Sequence, residues 1–357
     1  MDFNSLVFPV PTPTYSKNDY KGQLIWIPRK EFSYKDKIKY SNNYYYQRND
    51  PGHIQPIQLK RKENPGKLIF HAKSASMVQK IPSITFQIDN KFEEDSLSKN
   101  KIENEFIPCI FIKPNNPSDK IIIYFHSNYE DAGNCYSFCN SMSQFLDINI
   151  LIVEFPGYGI YKSKESANAD LIINDANIIF SFINEVEGVS ENNIIIMGRS
   201  IGSGPATYLA TKHNILSLIL LSPFKSIKEA IKSMFPKLNF GNILQTFVKE
   251  RFNNYENISK VASPILFIHG KEDNLIPSYH SIEMINQCKS PAKLVSPQRM
   301  THNQFDFIND VSIHIRDFLK VFTVLNTNNK FDDTDENIPD NYYIDFPQFM
   351  FYPPINY

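Results

Sequence analysis

Glycine, tryptophan, cysteine and long apolar runs are all scarce in this chain of 357 residues, which holds 12 Gly, 1 Trp and 4 Cys. No stretch approaches the ~20 apolar residues of a membrane-spanning helix, so an integral helical membrane protein is excluded. The opening Met1-Asp2-Phe3-Asn4 lacks the basic flank and apolar core of a secretory signal, and Asp2 stands where N-myristoylation needs glycine. A soluble protein of the cytoplasm is the expectation, any membrane contact being peripheral. Cys109, Cys135, Cys139 and Cys288 form no Cys-x-x-Cys pair, so the thiols are read as reduced, with neither a disulfide framework nor a metal site. Charge of one sign is lacking too, since 37 Lys+Arg against 38 Asp+Glu leave −1. No global field then draws the chain to nucleic acid or anionic lipid. The abundance of Ile, Asn, Lys, Tyr and Phe is a bias that AT-rich coding sequence produces without functional meaning.

The length suffices for a large core, and one α/β domain with long terminal extensions fits it. Residues 1–105 read as an N-terminal extension whose short strands pack on the core. Prolines at Phe8-Pro9-Val10-Pro11-Thr12-Pro13 and after Gln23-Leu24-Ile25-Trp26-Ile27 break any long element there. Strand-like runs follow at Lys67 to His71, Ser83 to Gln87 and Phe106 to Ile112, with a charged surface loop around Glu93 to Glu103. From Lys120 the pattern alternates: strand Ile121 to Phe125, helix Cys139 to Leu146, strand Ile148 to Phe155, helix Asp170 to Asn184, strand Ile194 to Met197, a helix after Ser200, and strand Leu216 to Leu221. Near-continuous apolar strands alternating with helices predict a mostly parallel sheet covered on both faces, an α/β core over 106–325. Between Ser222 and Ser263 the strands stop and helical pieces appear at Ile227 to Phe235 and Ile243 to Phe252. They read as a short cap (224–262) or as ordinary scaffold helices. Strand Ile265 to Ile268, helix Ser278 to Cys288, strand Ala292 to Val295 and helix Asp306 to Val321 complete the core. Residues 326–357, acidic and then rich in Tyr, Phe and Pro, read as a disordered tail, with partner docking as the alternative.

One stretch carries the chemistry. Ile194-Ile195-Ile196-Met197 runs into Gly198-Arg199-Ser200-Ile201-Gly202 and then into a helix-compatible segment, the strand-turn-helix context in which Gly-x-Ser-x-Gly exposes a nucleophilic serine. A serine hydroxyl needs a base, and the base needs a group that fixes its tautomer. Downstream, a buried strand ends in His269-Gly270-Lys271-Glu272-Asp273, where Asp273 is favoured over the more solvated Glu272 as the acid. His302, in the loop before the last helix, is the base candidate. His269 and His280 read as structural, and His126 as a brace of its own loop. Two backbone N–H donors are needed for the oxyanion: Ile201 supplies one by position, and Asn128 or Tyr129 the other.

Residues from about Phe106 to Phe322 resemble the α/β-hydrolase superfamily. The closer likeness is to the α/β-hydrolase domain-containing protein 17 group and to serine aminopeptidase-like branches. It is carried by His126-Ser127-Asn128 with Glu130-Asp131, by Phe155-Pro156-Gly157-Tyr158-Gly159, and by Gly198 through Pro205. His269-Gly270 through Asp273 and Thr301-His302-Asn303 complete it. The resemblance implies an α/β-hydrolase fold and palmitoyl-protein thioesterase chemistry without a cofactor, on an acylated protein or a small acyl ester. It departs at the N-terminal cysteine cluster of that group, because no cysteine precedes Cys109. A peptidase, a carboxylesterase and a catalytically silent binding module are the rival readings. Met234, Phe235, Phe240 and Phe247 suggest an apolar acyl pocket or, equally, a structural hydrophobic cluster.

Overall fold

The computed structural model describes residues 7–30, 106–163, 165–234, 250 and 252–326. The strand-like runs at 67–71 and 83–87, the charged loop at 93–103, the cap piece at 243–249 with Phe235, Phe240 and Phe247, and the tail beyond 326 lie outside the described residues.

Eight strands form one sheet: β1 (Leu24–Pro28), β2 (Phe106–Ile112), β3 (Ile121–Phe125), β4 (Asn149–Val153), β5 (Ile194–Arg199), β6 (Ser217–Leu221), β7 (Ile265–Ile268) and β8 (Ala292–Val295). Their order is β1-β2-β4-β3-β5-β6-β7-β8. β1 and β2 run antiparallel at one edge, and from β4 to β8 all neighbours are parallel. The central strands are unbroken apolar runs because both faces are covered. Ile121, Ile123 and Phe125 of β3 join one core cluster, while Ile122 and Tyr124 join the other.

On the first face lie α2 (Ala169–Ser181), α3 (Ser203–Ala210), α4 (Ile227–Met234), α5 (Asn254–Ile258) and α6 (Tyr279–Ile285). On the second lie α1 (Tyr136–Leu146) and α7 (Ile313–Asn326). Helices α2, α4 and α6 begin within one residue of the sequence expectation, whereas α5 has no counterpart in it. Two other differences have local causes. α1 starts three residues before Cys139, its half-buried Tyr136 reaching the arm through a hydroxyl bond to Gln23. The closing helix enters through a wide turn at Phe307–Ser312, where Asp306 accepts the Ile308 and Asn309 N–H groups, and it runs on to Asn326.

Residues 7–30 of the N-terminal arm are bound to the core. β1 pairs with β2, Phe8 and Tyr15 are buried, and the Thr14 amide and hydroxyl both donate to Asp131. Among the described residues no helix is long and apolar enough to cross a membrane.

Candidate active site

The parallel strands β3, β5 and β7 point their carboxyl ends at one rim, where the loops that follow them meet. At that rim β5 turns abruptly. Ser200 has φ 51°, a backbone conformation that non-glycine residues rarely adopt. The flanking glycines are required by contact. A Cβ on Gly198 would lie 2.2 Å from the Gly202 carbonyl oxygen, and one on Gly202 would lie 2.1 Å from that of Phe125. The turn can therefore press against β3 and lift Ser200 above the sheet. Ser203 braces it from below, donating to the Ser200 carbonyl at 2.6 Å and accepting from Asn254 Nδ2 at 3.0 Å. That leaves Ser203 committed and Ser200 exposed to the cleft.

The residues singled out after Ser200 converge on it. His302 Nε2 lies 3.0 Å from Ser200 Oγ, and His302 Nδ1 lies 2.8 Å from Asp273 Oδ2. A carboxylate only accepts, so Nδ1 carries the proton and Nε2 is left as the acceptor for the serine hydroxyl. Asp273 is itself fixed by the Leu275 and Ile276 N–H groups on Oδ1, at 3.1 and 2.9 Å. Burial alone would raise its carboxyl. Hydrogen bonds from His269 and His302, the His302 charge and the Ile276 amide outweigh that and hold it well below the usual carboxylate range. Glu272 is exposed, and the hydrogen bond to the imidazole comes from Asp273.

Among the described residues, His269, His280 and His126 have both ring nitrogens occupied. His269 contacts Ser281 Oγ and the Ile276 carbonyl, each at 2.7 Å. His280 bonds the Lys225 N–H and Ser233 Oγ, while His213 pairs with Glu191. His126 sits between the Ser127 carbonyl and Glu154.

Ile201, Asn128 and Tyr129 line the same cleft as Ser200 and His302. No acceptor among the described residues takes the backbone N–H of any of the three, so both alternatives for the second oxyanion donor stay open. The Asn128 side chain is held away from that task, donating to the Val7 carbonyl at 2.7 Å and accepting from the Tyr158 hydroxyl at 2.8 Å.

The cleft measures about 200 Å³ and is walled by Phe224, Ile227, Ile231 and Met234 on one side and Leu275 and Ile276 on another. Of the four residues expected in an apolar pocket, Met234 is there. One side of α4 lines the cleft. Val7 adds a wall from the N-terminal arm, a contribution with no local signal in the sequence. Arg199 and Glu130 were likewise not singled out for a role, although a charged residue closing an apolar strand is a signal of burial with a partner. Among the described residues no group of three or more His, Cys, Asp or Glu could hold a metal ion.

No protein-family model matches the chain. Curated relatives include Alpha/beta hydrolase domain-containing protein 17C of Xenopus laevis, 27% identical over 214 residues, 60% of this chain and 66% of that protein. The human 17C protein is 28% identical over 211 residues, 59% of this chain and 61% of its own length. Human 17B is 26% identical over 213 residues, 60% of this chain and 70% of its own. The chain thus spans less than two thirds of the length of the 17C proteins. Among solved structures, Est1E of Butyrivibrio proteoclasticus with bound ferulic acid superposes with TM-score 0.51 at 18% identity, covering 61% of this chain and 96% of that one. An esterase of Pyrococcus furiosus gives TM-score 0.51 at 17% identity, covering 61% and 86%. The chain has the α/β-hydrolase fold, and its sequence resembles the domain-containing protein 17 group.

Proposed function

We propose that this protein is a serine hydrolase that cleaves acyl esters or thioesters through Ser200, His302 and Asp273. The observation that carries the reading is the continuous hydrogen-bonded series from Ser200 Oγ through both nitrogens of His302 to Asp273, opening on an apolar cleft. Ser200 Oγ attacks the acyl carbonyl as its proton passes to His302 Nε2. Asp273 holds the ring and stabilises its positive charge. The tetrahedral oxyanion takes the Ile201 N–H and one N–H of the Asn128-Tyr129 pair, each such donor being worth roughly 3 kcal/mol of transition-state stabilisation. His302 returns the proton to the leaving alkoxide or thiolate, the acyl group stays on Ser200, and a water activated by His302 releases the acid.

The apolar walls suit an acyl chain, and S-acylated protein is the substrate class that the sequence resemblance implies. Two measurements test the reading. A fluorophosphonate probe labels the wild type and fails to label Ser200→Ala; equal labelling of both removes Ser200 as nucleophile. In a series of thioesters and esters of increasing chain length, run beside aminopeptidase substrates, acyl substrates turn over faster. Preference for the peptides replaces this reading with a peptidase.

A further inference from the structure

Arg199 stands between Gly198 and Ser200, and the hydrolytic steps give it nothing to do. Its side chain is 9% exposed, and burying a guanidinium is costly unless its donors are met. The Nη1 and Nη2 donors are met by two different loops, while Nε is buried without a partner among the described residues. Nη1 donates to both oxygens of Glu130, each at 2.9 Å, and Nη2 donates to the His302 carbonyl at 3.0 Å and Asn303 Oδ1 at 3.3 Å. The guanidinium also lies 5.0 Å from the centre of the Phe305 ring, two residues beyond Asn303. Glu130 passes the contact on, its Oε1 accepting the Ser127 N–H at 2.8 Å, one residue before Asn128.

A single planar cation therefore spans the loop that follows β3 and the loop that carries His302, while its own backbone begins the turn at Ser200. We propose that Arg199 is a positioning residue that sets the separation between the base and the oxyanion donors, with Glu130 as its intermediary. The proposal rests on the reading of Ser200, His302 and the 126–131 loop as the catalytic machinery. The geometry suits arginine and not lysine. Three partners in two directions need a rigid fork, and an ammonium at the end of a flexible stem reaches one side at a time. An arginine that only stabilised the fold would affect how much enzyme is active. One that positions the groups affects how fast each active molecule turns over.

The test is turnover per fluorophosphonate-titrated site in full-length wild type, Arg199→Lys, Arg199→Met, Glu130→Gln and the double variant Arg199→Met/Glu130→Ala. Turnover per site is expected to fall about tenfold in Arg199→Lys and about 100-fold in Arg199→Met, with KM held within about threefold. Because the two residues act as one unit, adding Glu130→Ala to Arg199→Met costs less than about threefold more. Glu130→Gln keeps the shape and loses the charge, so it carries the test even if the arginine variants do not fold. Its turnover per site is expected to fall about fivefold. Wild-type turnover per site in Arg199→Lys or in Glu130→Gln, or losses that multiply in the double variant, overturns the positioning role alone. Labelling that does not depend on Ser200 overturns the reading beneath it.

Discussion

His302 with Asp273 and His126 with Glu154 are two histidine–carboxylate pairs built almost alike. Each joins residues that follow different strands, and each carboxylate is crowded with donors. Glu154 takes His126 Nε2 at 3.0 Å, the Phe155 N–H at 3.1 Å, the Ala132 N–H at 3.0 Å and the Tyr15 hydroxyl at 2.8 Å. Asp273 takes His302 Nδ1 and two amides, with His269 Nε2 at 3.4 Å. What separates the pairs is the second nitrogen. In His302 it faces the Ser200 hydroxyl at the cleft, and in His126 it faces the Ser127 carbonyl at 2.8 Å in a fully buried site. A carbonyl and a carboxylate both accept, so His126 is held as a double donor with no lone pair to offer. Burial opposes that charge, but the hydrogen bond and charge of Glu154 and the Ser127 carbonyl raise the His126 pKa above its ordinary value. A histidine beside a carboxylate is thus a base or a bolt according to its other nitrogen.

The largest effect that could break this contrast is a matched pair of substitutions. His302→Gln is expected to lower kcat by about 10⁴-fold or more with little change in unfolding free energy. His126→Gln is expected to cost about 3 kcal/mol of stability, since it leaves Glu154 buried without its partner. Turnover of the folded His126→Gln fraction is expected to stay within about tenfold of wild type. Urea unfolding and turnover per folded molecule measure both. Equal loss of turnover in the two variants would end the distinction.

A smaller effect, opposite in sign for two histidines, sharpens it. His280 joins α4 to α6 by donating from Nε2 to Ser233 Oγ at 2.9 Å, while Nδ1 accepts the Lys225 N–H at 3.3 Å. Burial, with the nearby His269 and Lys225 charges, lowers its pKa to about 4. The native state there binds fewer protons than the unfolded chain, so this contribution is full above the unfolded value near ~6.5 and is lost as pH falls toward about 4. It amounts to on the order of 3 kcal/mol. His126 behaves in reverse. Its raised pKa makes its contribution full below the unfolded value and lost as pH rises through the folded one. Unfolding free energy against pH is expected to lose part of its acid slope in His280→Gln and part of its alkaline slope in His126→Gln. Unchanged slopes in both variants would refute a neutral His280 and a doubly protonated His126.

Most of the strands and the Ser200, Asp273 and His302 candidates are legible in the chain because each signal is local. A β-branched run such as Ile194-Ile195-Ile196, a Gly-x-Ser-x-Gly turn and an acid at a strand end all depend on neighbours within a few residues. The braces were not legible, because their partners are far apart in sequence. Tyr15 meets Glu154, Thr14 meets Asp131, Arg199 meets Glu130, and Val7 reaches Asn128. No periodicity announces such pairs. The same reason kept the second oxyanion donor open, since Asn128 and Tyr129 are adjacent in a loop whose shape is set by those distant contacts.

The smallest effect concerns that loop. His126 and Glu154 anchor it from the buried side, and Tyr158 steadies it at the cleft through the hydroxyl bond to Asn128 Oδ1. Tyr158→Phe removes only this bond and leaves the Val7 carbonyl on Asn128 Nδ2. The oxygen left without its donor belongs to a residue lining the cleft, within reach of water, so the expected cost is about 1 kcal/mol in unfolding free energy. Turnover per labelled site is expected to fall less than about fivefold. A loss as deep as that of Arg199→Met would mean that the loop is set from the cleft edge and not from the buried histidine. The bolt would then be Tyr158, and the division of labour between the two histidine pairs would have to be redrawn around Asn128.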